Sequence, residues 1–159
     1  MKYHIITIGK IKEKYLMAGI DEFLKRLRPY GQVEITALPE EKMPDNPSEA
    51  QKRQVLEKEG EKMLRHVRQG SYVFVLDVQG TLISSEDMAA KFSEIALHGC
   101  SELTFIIGGP FGLSDGVRRR ADSRISFGRI TLTHQMIRMI LLEQIYRAVK
   151  IQRHEPYHW

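Results

Sequence analysis

The chain has 159 residues, of which 28% are charged and 42% hydrophobic, a balance that supports a packed core and excludes a disordered chain. Its single cysteine, Cys100, excludes a disulfide framework or a cysteine metal cluster and fits a reducing compartment. No apolar run approaches the roughly 18 residues that span a bilayer, and Met1–Ile8 is too short for a signal sequence, so the expectation is one cytoplasmic domain over residues 1–159.

Taken in order, Tyr3–Ile8 is a β-rich run closed by Gly9, the first strand. Glu13–Arg28 repeats apolar residues at helical spacing (Leu16, Met17, Ile20, Phe23, Leu24, Leu27) and stops at Pro29. Gln32–Leu38 alternates, as a strand with one wetter face does. Three prolines make residues 39–47 a loop. Ser48 with Gln51 then forms a capping-box pattern for a charged covering helix to about Val67, in which Gly60 argues against continuity. Ser71–Val78 reads as a central parallel strand, with Gln79-Gly80 as its turn. Glu86–His98 is an amphipathic helix ended by Gly99, and Leu103–Ile107 is the next strand. A short helix capped by Ser114 or Asp115 and a last strand at Arg124–Phe127 follow. This alternation predicts an α/β fold, a parallel sheet with helices on both faces.

The final helix, Gln135 to about Arg153, is apolar all round in its first half apart from Arg138. A helix apolar on every side must be covered on every side, which predicts a homodimer through it.

Ligands of open parallel sheets sit beyond the carboxyl ends of the strands, where Leu76–Gly80, Ile107–Gly112 and Ser126–Leu132 would meet. Gly108, Gly109 and Gly112 either turn the chain or let a ligand approach the backbone closely. Neither G-x-G-x-x-G nor the P-loop pattern occurs, and no acid lies about 20 residues beyond Gly112 to hold a ribose, so dinucleotides and nucleoside triphosphates are disfavoured. His134, His154 and His158 lack zinc spacing, H-E-x-x-H is absent, and no metal is expected. Charge is uneven: from Arg118 onward nine bases face three acids, a net of +6, which leaves −2 for the rest of the chain. That is either a solvated basic face or a surface for an anionic partner.

Four blocks in order resemble the SPOUT superfamily of knotted methyltransferases: Ile106-Ile107-Gly108-Gly109-x-x-Gly112-Leu113; Ser126-Phe127-x-x-x-Thr131-x-x-His134-Gln135-Met136-x-Arg138; Leu141 to Ala148; and Pro156-Tyr157-His158. The similarity runs the length of the chain and is nearest to the single-domain branch of large-subunit rRNA pseudouridine methyltransferases. It implies a parallel sheet flanked by helices, with a carboxyl-terminal deep trefoil knot. It also implies a homodimer that uses S-adenosylmethionine to methylate nitrogen 3 of a pseudouridine in large-subunit (23S) rRNA of assembled ribosomes. By position, the cofactor contacts would be Leu76, Gly108, Phe127, Gly128, Arg129, Ile130, Thr131 and Leu132. His134, Arg138, Tyr157 and His158 are candidates for orienting the base or assisting its proton. Arg147, Lys150 and Arg153 are candidates for RNA phosphates. For His134 a helix cap, and for Arg138 a buried structural partner, are the alternative roles. The chain departs from the family pattern at Gly128, Ile130, Thr133 and Trp159, where Ser, Met, Pro and a cation are usual. A non-catalytic RNA- or ribosome-binding module of the same fold, or a tRNA methyltransferase, are the competing functions.

Overall fold

The computed structural model describes residues 1–157. Ten elements follow one another: β1 (Lys2–Ile8), α1 (Lys14–Leu27), β2 (Gln32–Leu38), α2 (Glu49–Arg65), β3 (Tyr72–Leu82), α3 (Ser85–Leu97), β4 (Glu102–Ile107), α4 (Asp115–Arg120), β5 (Ser123–Ser126) and α5 (Met136–Gln152). The strands form one sheet in the order β2-β1-β4-β3-β5, every pairing parallel. The α/β expectation holds.

Alternate residues of the strands supply two cores. Tyr3, Ile5, Phe74, Leu103, Phe105 and Ile107 face α1, α3 and α5. Ile6, Ile8, Val73, Val75 and Ile106 face α2 and α4 through Met63 and Val117. The first core is built on aromatics: Phe74 stacks on Phe105 at 5.0 Å, and both meet Phe92 of α3 edge-on at 5.8 and 6.0 Å.

Three local outcomes refine the sequence reading. First, α2 is continuous through Gly60, because a helix that must cross α4 at close range needs a residue without a side chain there. A Cβ on Gly60 would collide with Ser114 Oγ. Second, β3 does not end in a turn at Gln79-Gly80 but kinks and resumes. Both Leu76 and Thr81 pair with Ile125, so residues 77–80 bulge out of the ladder. Gly80 fits that bulge because a Cβ would lie 2.8 Å from the Arg124 carbonyl carbon and 2.9 Å from Asp77 O. Third, α5 is flanked within the chain. Its Leu141, Leu142, Ile145 and Val149 are buried on the sheet, Gly19 of α1 lies against Met139, and Gln144 accepts a 2.6 Å hydrogen bond from Ser85 of α3. Met136, Ile137, Met139 and Ile140 stay half-buried, so part of its all-round apolar character is used inside the protomer.

The sheet order places β1 at a reversal: the chain leaves it toward β2, whereas β4 beside it leads across to β5. From β5 the chain must then return across the carboxyl ends of the strands to reach α5, whose first turn lies at the end of β1. Residues 127–135 make that crossing.

Candidate functional site at the carboxyl edge of the sheet

The turn after β4 is held by its own backbone. The Gly112 N–H donates to Gly109 O at 3.1 Å, and Gly109 and Gly112 form an isolated bridge. Gly112 sits at φ +99, a conformation that side-chain-bearing residues rarely adopt. A Cβ on Gly108 would fall 2.6 Å from Gly112 O, so this glycine is required by the turn's own packing. Both readings of these glycines are therefore in play: they shape the turn, and around Gly112 an added Cβ would meet open space.

The crossing segment is pinned at its two ends and free between them. Ser126 Oγ donates to Gly128 O at 2.7 Å, and Gly128, at φ +142, also has open space around it. The Arg129 guanidinium donates to Val78 O and, at 3.3 Å, to Gly80 O, which fastens the segment to the β3 bulge. At the far end Thr133 Oγ1 accepts from Met136 N at 3.1 Å and opens α5. From Arg129 to Leu132 no backbone hydrogen bond is made among the described residues. Leu76 and Phe127 are half-buried and Ile130 is 81% exposed. Unpaired amides beside apolar walls suit an adenosine-type ligand, whose base takes backbone hydrogen bonds and apolar contact without a phosphate cradle. The residues present fit S-adenosylmethionine on this ground. Thr7 Oγ1, fully buried near the end of β1, also lacks a partner.

Of the candidates for chemistry, Arg138 and His134 sit together. Arg138 is 2% exposed, and its guanidinium donates to Ile8 O at 2.6 Å and His134 O at 3.1 Å. Burial lowers its pKa to about 10, so it stays charged at neutral pH with only carbonyls as hydrogen-bond partners. Its geometry is that of a brace between β1 and the crossing segment. His134 places Nε2 3.9 Å from Glu40 Oε1 and lies beside Gly9. Its pKa is lowered, first by burial and then by Arg138, against the opposing pull of Glu40, so the imidazole is neutral at pH 7. The structure puts Tyr157 elsewhere. Its hydroxyl donates to Glu143 Oε1 at 3.1 Å, and its ring packs on Tyr146 at 4.7 Å, about 12 Å along α5 from Arg138 at 1.5 Å per residue. Burial and Glu143 raise its pKa, so it is a neutral donor. His158 lies outside the described residues, as does Trp159.

The three proposed RNA cations are engaged within the chain to different extents. Arg147 binds Glu143 at 2.6 Å and covers the Tyr157 ring at 4.9 Å. Lys150 binds Glu155 at 2.6 Å and the Tyr30 hydroxyl at 2.9 Å, and these bonds raise its pKa. Arg153 is exposed, stacked over Tyr30 at 5.0 Å.

Sequence reasoning missed Glu40 and Asp77. Asp77 carried a signal, as the one acid closing an otherwise apolar strand. Glu40, in a proline-rich loop, carried none. Among the described residues no three His, Cys, Asp or Glu side chains come together as a metal site, and no helix is long and apolar enough to cross a membrane.

A parallel α/β sheet with a backbone-lined pocket at its carboxyl edge, closed by a crossing segment that leads into the last helix, defines the class of protein. The family described as "Predicted SPOUT methyltransferase" matches residues 1–158, and the chain belongs to it. Relatives named ribosomal RNA large subunit methyltransferase H are similar over 99% of both chains. The protein from Symbiobacterium thermophilum is 52% identical over 160 residues, that from Halothermothrix orenii 52% over 158, and that from Enterococcus faecalis 48% over 158. The fold is shared with a probable methylase family protein from Haemophilus influenzae (TM-score 0.52, 14% identity), covering 99% of this chain and 70% of that one.

Proposed function

We propose that this protein is a cytoplasmic, homodimeric enzyme of one domain, residues 1–159, that uses S-adenosylmethionine to methylate nitrogen 3 of a pseudouridine in large-subunit rRNA of assembled ribosomes. The observation that carries the reading is the full-length similarity, near 50%, to relatives named for that RNA. S-adenosylmethionine, when bound, supplies an electrophilic methyl group. The residues that would hold it are Leu76, Gly108 and the segment Phe127, Gly128, Arg129, Ile130, Thr131 and Leu132, through the unpaired amides of 129–132 and the apolar walls beside them. The crossing at 127–135 is the part of the chain that the family's trefoil knot would thread.

The rest of the chemistry concerns one proton. Nitrogen 3 of the base bears a hydrogen that must leave. Neutral His134 is suited to accept it, and Glu40 beside it favours the imidazolium that results. Arg138 acts by positioning, since its guanidinium is spent on two carbonyls. Tyr157, which Glu143 holds away from His134 of its own chain, and His158 are assigned to the base as donors from the second protomer, and Arg147, Lys150 and Arg153 to RNA phosphates, Arg153 being the most exposed of the three. The half-buried apolar residues of α5, next to exposed Tyr15 and Met17 of α1, support the dimer. A monomeric mass in light scattering would refute it.

The decisive experiment is mass spectrometry of rRNA from a strain deleted for the gene. Loss of 3-methylpseudouridine supports the reading, and an unchanged signal defeats it. Incubating the purified protein and labelled cofactor with intact ribosomes and with naked rRNA then identifies the substrate form. Calorimetry with S-adenosylmethionine separates an enzyme from a binding module, which would give no heat.

A further inference from the structure

The bulge at the end of β3 gathers more positive charge than its own packing requires. Asp77, with 6% of its side chain exposed, accepts on one oxygen from Arg118 Nε at 3.1 Å and from Arg124 Nη2 at 2.8 Å. Its other oxygen takes the Gln79 N–H at 3.0 Å. Burial alone would raise this carboxyl's pKa, but the Gln79 N–H and the two guanidiniums outweigh it and hold it below the ordinary value. Arg129 reaches the same bulge through Val78 O and Gly80 O. Two guanidiniums thus share one carboxylate, and a third is fastened to the backbone of the same bulge.

The neighbouring acids do not cancel this excess. Asp115 is 3.7 Å from Arg118 but 80% exposed. Asp122 is committed to Arg120 and to the Val73 N–H at 2.7 Å, and Asp87 to the cap of α3. The arginines are also held in place rather than loose: Arg118 donates a further 3.0 Å bond to Leu113 O, while its side chain stays 35% exposed and that of Arg124 40%. A groove of about 700 Å3, lined by Gly80, Arg124 and Lys91, opens alongside. Two guanidiniums sharing one carboxylate leave a net positive charge at the bulge, and fixed guanidinium forks match phosphate oxygens.

We propose that Arg118, Arg124 and Arg129, arrayed on the 77–80 bulge, form a phosphate-binding surface for the backbone of the substrate RNA. This rests on the reading above that the substrate is RNA. It adds a contact region distinct from Arg147, Lys150 and Arg153 and continuous with the crossing segment.

The test is fluorescence anisotropy of a labelled large-subunit rRNA transcript over a range of salt, with thermal melts as a check on folding. Arg124→Gln is expected to weaken binding about 3- to 10-fold at low salt and to lower the slope of log affinity against log salt by about 1. Asp77→Asn, which removes the one carboxylate, is expected to tighten binding. A purely structural role for the cluster would weaken binding in both variants. Unchanged affinity and slope in Arg124→Gln, or weaker binding by a folded Asp77→Asn, overturns the proposal. If Asp77→Asn does not fold, Arg124→Lys decides: it should keep the wild-type slope that Arg124→Gln loses, and equal losses in both refute the surface. Failure of the wild type to bind the transcript would instead defeat the functional reading. Bulk tRNA then serves as the probe, and the same contrast between Arg124→Gln and Arg124→Lys judges the arginines.

Discussion

At the amino-terminal edge of the sheet Arg68 bridges Glu34 at 2.5 Å and Glu102 at 3.1 Å, whereas at the carboxyl edge Arg138 donates only to two carbonyls. The contrast extends to neutral groups. Thr104 bonds Ser71 at 3.0 Å, Ser71 bonds Arg68 O at 2.9 Å, and His4 Nε2 meets Thr36 at 2.8 Å, with only His4 Nδ1 left over there. At the other edge Thr7 Oγ1 is buried without a partner, and four consecutive residues of the crossing segment make no backbone bond. Each edge thus keeps one buried side-chain atom without a partner among the described residues, and what sets the carboxyl edge apart is a stretch of backbone, exposed at residues 129–131, that the chain leaves unbonded. One end of this sheet is closed by side-chain bonds within the chain; the other, on the proposed function, is where the ligand binds.

Perturbing the carboxyl edge should therefore be costly for function, and perturbing the amino edge should not. The largest effect is expected for Gly108→Ala, which forces apart the 108–112 turn. Calorimetry should then show no S-adenosylmethionine binding at millimolar cofactor, while light scattering shows an unchanged mass. Next comes Arg138→Met, which orphans Ile8 O and His134 O. It should lower stability by about 2–4 kcal/mol in urea unfolding and weaken cofactor binding. Were cofactor affinity to stay at the wild-type value, the brace between β1 and the crossing segment would carry no functional weight. His134→Asn should reduce the methylation rate on the order of 100-fold with the affinity for cofactor retained.

The same histidine gives a pH signature. The folded pKa values of His4 and His134 lie below the ordinary 6.5, in both cases chiefly through burial. As pH falls below 6.5 the unfolded chain takes up protons that the folded one does not, so stability should decline through that window and level off below the folded values. His134→Asn should remove part of that slope in urea melts at successive pH values. The smallest effect belongs to the amino edge: Arg68→Ala breaks two ion pairs of a side chain that is itself 45% exposed and should leave both melting temperature and methylation within error. A large loss of activity there would dissolve the distinction between the two edges.

Much of the architecture could be read from residue order. The strand runs at Tyr3–Ile8, Ser71–Val78 and Leu103–Ile107, separated by segments of helical spacing and by the capping pattern at Ser48, lead directly to a parallel sheet between two helical layers. The β3 bulge was not legible, because Gln79-Gly80 is equally good chemistry for a turn; only the pairing of Thr81 with Ile125 distinguishes them. The candidate site was visible as two glycine-bearing segments, but the partners of its charges were not. Arg118, Arg124 and Asp77 are distant in sequence and meet only through the sheet order, and Glu40 reaches His134 from a loop without any periodic pattern. Counting bases after Arg118 located the positive region, yet gave no means of telling Lys150, which Glu155 neutralises, from Arg124, which shares its carboxylate.

The 2.6 Å bond between Arg138 and Ile8 O joins residues 130 positions apart. Closing the loop between residues so far apart costs entropy before the contact rewards it. The candidate pocket is complete only where the last helix docks against the end of the first strand. On the proposed function, cofactor binding would report on completed folding: a chain cut short before α5 loses Leu141, Leu142 and Ile145 from the core and the Arg138 brace together.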